Sequence, residues 1–63
     1  MRFQFQNSSY AREFVRRLLF VHDVWCKITI SYRTVSVDMS NKDGWLGALA
    51  MEISDTVEIT EGE

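Results

Sequence analysis

The chain has 63 residues, 46% of them apolar and 13% aromatic, with a formal net charge of −2 and a single cysteine, Cys26. This is one small domain, residues 1–63; a chain of this size hides only about 60% of the surface it exposes when unfolded, and one cysteine excludes an internal disulfide as reinforcement. The acidic balance argues against nucleic-acid binding, and the N-terminal residues form no continuous apolar run, so neither a signal peptide nor a membrane span is expected and the cytoplasm is the expected location.

Met1, Phe3 and Phe5 alternate with Arg2, Gln4 and Gln6, and a period of two predicts a strand with one apolar face. Asn7-Ser8-Ser9 breaks that pattern, with Ser9 as the expected N-cap. From Tyr10 to His22 the period lengthens. Ala11, Phe14, Val15, Leu18, Leu19 and His22 form one helical stripe, with Arg12, Glu13, Arg16 and Arg17 on the other side. Phe20 lies off the stripe. It either folds over the helix end against Arg16 or faces a partner.

After Asp23, the residues Val24, Cys26, Ile28 and Ile30 alternate with Trp25, Lys27, Thr29 and Ser31, predicting a second strand. Tyr32-Arg33 is the expected hairpin tip, although it lacks the Gly or Asn that tight turns favour. Val35, Val37 and Met39 mark a third strand. Ser40-Asn41-Lys42-Asp43 has the form of a capping box, and Trp45, Leu46, Leu49 and Ile53 follow as a second helix. Gly44 and Gly47 each weaken that helix by about 1 kcal/mol relative to Ala. Ser54-Asp55 turns the chain, and Val57 and Ile59 alternate with Thr56, Glu58 and Thr60 as the last strand. Trp25 is the one large apolar residue in the otherwise polar outward set.

The expected fold is therefore α+β: a two-layer open-faced sandwich, β-α-β-β-α-β, with a four-stranded antiparallel sheet and both helices on one face. His22 and Cys26 are the sole His and Cys, assigned to a helix end and a strand, so no metal site and no cofactor is expected. Nor does the chain carry a Gly-rich phosphate loop or a His-carboxylate-nucleophile trio, and it reads as non-enzymatic.

This pattern resembles HPr, the histidine-containing phosphocarrier protein of bacterial sugar phosphotransferase systems. Ala11-Arg12 at the opening of the first helix is similar to the Ala-Arg of the family's His-Ala-Arg-Pro motif. Thr34-Val35-Ser36-Val37 is similar to the strand that enters the family's second helix, and residues 49–59 match the apolar pattern from that helix to the fourth strand. The resemblance implies the HPr-like sandwich, although the same element order also describes ferredoxin-like folds, whose strands are arranged differently. It implies no phosphate relay here: Tyr10 stands where the family has its phosphorylated His, and Glu13 where the motif has Pro. Ser40 resembles the family's regulatory phosphorylation site, one position out of register, and is equally an N-cap. The family's third helix has no counterpart after the fourth strand.

The start of the first helix is the chemically suggestive spot. Free backbone N–H groups there favour an anion, Ser8 and Ser9 add hydroxyls, and Arg12 adds a positive charge that opposes the macrodipole unless an anion, a partner carboxylate or Glu13 compensates it. Against this stands the simpler reading of two capping serines and a solvated arginine. The expected function is a non-catalytic, HPr-like binding or regulatory module that meets a protein partner through Arg16, Arg17, Phe20 and Trp45, with Ser8, Ser9, Tyr10 and Arg12 as the anion-binding group. The alternative is a structural module that self-associates to supply the burial a short chain lacks.

Overall fold

The computed structural model of the chain describes residues 1–23, 26–39 and 44–60. Its elements run β1 (Arg2–Gln4), α1 (Ser8–Phe20), β2 (Ile28–Ser31), β3 (Thr34–Val37), α2 (Trp45–Ile53) and β4 (Glu58–Thr60). The expected α+β sandwich forms, with four antiparallel strands in one open sheet.

Alternation decides which side of each strand is buried. Phe3 stands opposite Val35 on β3 and opposite Ile59 on β4, and Val37 stands opposite Ile28 on β2. That apolar row meets Ala11, Phe14 and Leu18 of α1 and Leu46, Leu49 and Ala50 of α2 in a single core. Phe14 is its centre: its ring lies 4.7 Å from that of Phe3 and 5.2 Å from that of Phe5, both tilted, in the range of favourable aromatic pairs. The other face of the sheet carries Arg2, Gln4, Thr29, Ser31, Thr34, Ser36, Glu58 and Thr60, as the same register requires.

The strand order is β2-β3-β1-β4. β3 therefore lies between β1 and β2, and β1 lies between β3 and β4. Each β-α-β unit is split by a strand from the other, which is the ferredoxin-like arrangement. Of the two arrangements compatible with the element order, the chain adopts that one.

Several boundaries differ from the sequence expectation, each for a local reason. α1 begins at Ser8, not Tyr10, and its N-cap is Asn7, not Ser9. Asn7 is extended, and its Oδ1 accepts the Tyr10 amide at 3.2 Å, which satisfies one of the orphan donors of the first turn. At its other end α1 stops at Phe20. The amides of Val21 and His22 both donate to the Arg17 carbonyl at 3.0 Å, and Asp23 at φ +55° turns the chain away. His22 thus falls outside the stripe and is exposed. The hairpin tip is Tyr32-Arg33 as expected, and Tyr32 itself takes the positive φ of +55° that a Gly or Asn would adopt at less cost. The expected capping box of α2, with Ser40, lies outside the described residues, as does Trp25. Gly44, at φ +75°, precedes the helix and offers no side-chain cap. No helix among the described residues is long and apolar enough to cross a membrane.

Candidate functional site

α1 carries nearly every expected site residue, and the structure divides them into three groups along its length. At the N-terminal end, Ser8 is half-buried while Ser9, Tyr10 and Arg12 are exposed. The first turn has no acidic residue. Of the groups expected to offset Arg12, Glu13 is engaged elsewhere, because its carboxylate faces the next turn.

That carboxylate organises the middle group. Arg16 donates to Glu13 Oε2 at 2.9 Å and to Oε1 from Nε at 3.2 Å, while Arg17 Nε donates to Oε2 at 2.8 Å. Helical spacing places residues three and four apart on the same side, so one acid bridges two arginines. Hydrogen bonds from Arg16 first, then Arg17, hold the Glu13 carboxyl below its ordinary pKa. Arg17 also reaches Glu52 of α2 at 3.9 Å, a longer ion pair that ties the two helices together. Arg16 and Arg17, expected to meet a partner, are therefore already paired within the chain.

The third group lies at the C-terminal end. Phe20 is 79% exposed and Val21 67% exposed. Phe20 does not fold back over the helix, since Arg16 is held by Glu13 one turn earlier. His22 packs on Trp45 at the start of α2, with ring centroids 5.3 Å apart. Two residues distant in sequence are thus brought together, Trp45 half-buried under His22, with the bare Phe20-Val21 step beside them. Val21 and His22 were not expected to contribute. They follow from where the helix stops, which is set by the paired amides on the Arg17 carbonyl and not by apolar periodicity.

A small open cavity of about 190 Å³ lies at one end of the sheet, lined by Gln4, Phe5, Gln6, Arg33, Thr56 and Glu58. It is smaller than the few hundred Å³ usual for small-molecule sites. No signal in the sequence marks it, because Arg33 and Glu58 meet Gln4 only once β1 takes its place between β3 and β4. Cys26 is half-buried, and burial first, then the negative charge of Asp38, pushes its thiol pKa up. At neutral pH it is a protonated thiol, a poor nucleophile and a poor ligand. Among the described residues no three His, Cys, Asp or Glu side chains gather as a metal site requires. Compared with protein-family models, with curated proteins and with solved structures, the chain matches none.

Proposed function

We propose that this chain is a non-catalytic binding module that receives a protein partner at the C-terminal end of α1. The observation that carries this reading is the adjacent pair Phe20 and Val21, both more than two-thirds exposed, next to the His22–Trp45 contact. Single exposed apolar residues are ordinary. Two in succession, with an indole and an imidazole beside them, make an apolar patch with aromatic anchors, the composition favoured at interface centres. The arginines belong to the rim of this surface, held in place by Glu13. Cytoplasmic location is part of the proposal.

The resemblance to HPr does not extend to the phosphorylated His, since Tyr10 stands in its place. The proposed module carries no phosphate, since a tyrosine phosphate ester is a poor phosphoryl donor. Incubation with the phosphoenolpyruvate-dependent enzyme that charges HPr is expected to leave the chain unphosphorylated.

A photo-crosslinking residue at Phe20, compared with one at Thr29, tests the surface. The Phe20 probe is expected to capture one discrete protein, identified by mass spectrometry. The Val21→Ser substitution in the same probe chain should lose that product without moving the melting temperature. Equal labelling from both positions, or a product indifferent to Val21, sinks the proposal, and phosphate uptake would restore the carrier reading.

A further inference from the structure

We infer that β2 is a self-pairing edge, through which two copies of the chain join in antiparallel register centred on Thr29. The inference rests on the β2 edge and does not depend on the partner proposed at Phe20.

β2 ends the sheet on one side and β4 on the other. Proteins guard exposed edges with charge, proline, bulges or short length, because unpaired N–H and C=O groups recruit another strand. β4 is guarded. It has three residues and carries Glu58, so two copies of that edge repel. β2 is Ile28-Thr29-Ile30-Ser31, with no charge within the strand, no proline and no bulge in its pairing to β3; the nearest charge is Lys27, just before it. Ile30 belongs to the apolar, helix-covered row opposite Val35, yet it is 43% exposed because among the described residues no strand lies beyond it.

Hydrogen-bond parity fixes which groups are free. Val37 exchanges bonds with Met1 on the β1 side, and the Asp38 amide donates to the Lys27 carbonyl at 3.0 Å on the β2 side. Antiparallel ladders alternate, so Lys27, Thr29 and Ser31 spend their backbone groups on β3. Ile28 and Ile30 turn theirs outward.

Only registers that keep like faces together preserve the apolar row. With Thr29 opposite Thr29 of the second copy, Ile28 faces Ile30 at both symmetry-related positions. Both pairs are then bonded pairs made of outward-facing groups, two bonds in each, and all four residues are in strand conformation. Lys27 meets Ser31. Moving the centre to Ile30 sets Ile28 against Tyr32, whose φ of +55° is not a strand conformation, and sets Lys27 against Arg33, a like-charge pair. Moving it to Ile28 sets Ile30 against Cys26, which precedes the strand. One register therefore satisfies geometry and charge together. It is isologous and closes at two copies, because each copy's β4 edge remains guarded.

Two strands of four residues cover less than the ~800 Å² per partner of a standard interface, so the pairing is reversible and concentration dependent.

Sedimentation of the intact chain from about 1 μM to about 1 mM is expected to show the average mass rising from 7.4 kDa toward twice that value. Thr29→Lys places two like charges across the twofold on the solvent face, away from the core, and should return the protein to monomer at every concentration, with its melting temperature equal to that of the parent at the dilute end, where both are monomers. Mixing Thr29→Lys with Thr29→Glu should restore the dimer. In a Cys26→Ser background, Thr29→Cys should oxidise to a disulfide-linked dimer and Ile30→Cys should not. A monomer throughout, a dimer indifferent to Thr29→Lys, or crosslinking through Ile30→Cys alone overturns the inference.

Discussion

The two ends of α1 sit on the same buried stripe and have opposite surfaces. The N-terminal end is finished locally: Asn7 caps it, its Oδ1 held by the Tyr10 amide, and what remains outside is polar. The C-terminal end is finished by backbone alone, with two amides on one carbonyl, and it leaves Phe20 and Val21 in water. A helix with a side-chain cap needs nothing further at that end. One that stops on an apolar step leaves apolar surface in water, and that is the surface proposed above for a partner.

The largest expected effect comes from the stripe both ends share. Phe14 is fully buried between Phe3 and Phe5, and Phe14→Ala should cost ~3–5 kcal/mol. Domains of this size have roughly 0.05–0.15 kcal/mol of stability per residue, so the variant is expected to be largely unfolded by circular dichroism at room temperature. Retention of a cooperative melt near that of the parent would mean the two ends are not held by a common core.

Next comes the capped end. Asn7→Ala should lower stability by ~1 kcal/mol in urea denaturation, while Asn7→Asp should be neutral or slightly stabilising because it also complements the macrodipole. If Asn7→Ala were silent, the cap would be supplied by Ser8 or Ser9, and the contrast between the ends would weaken.

The smallest effect lies between them. Hydrogen bonds from Arg16 and Arg17 lower the Glu13 carboxyl from the ordinary value of 4.5. A group with a lowered folded-state pKa contributes fully above its unfolded value, and its contribution is lost as pH falls through the lowered one. Helicity should therefore decline on acidification below the ordinary glutamate range, and Glu13→Gln should flatten that part of the curve. The residue is only half-buried and the pairing is screened by salt, so the change is modest and should shrink further at high ionic strength.

Much of this was legible in the residues. Phe3, Leu18, Val37 and Leu49 were expected in the core by period and are buried, with Ile28 and Ile59 packed against them. The hairpin at Tyr32-Arg33 was placed by the switch between two alternating runs. Phe20 was marked by falling off the helical stripe. Other features were not visible, each for a reason. The cap fell on Asn7 because three consecutive polar residues compete for one position, and only the path from β1 into α1 selects among them. Arg16 and Arg17 looked like free cations because a sequence shows neighbours at three and four but not which of them takes the carboxylate.

Periodicity and composition by themselves determined the element types, the buried face of each and the two-layer architecture, because local backbone geometry alone sets which side chains share a face. Strand order, the pairing of His22 with Trp45 and the unguarded state of β2 were decided only in three dimensions. Each depends on which strand lies next to which, and β1 fits between β3 and β4 through contacts far apart in sequence that no short-range pattern encodes.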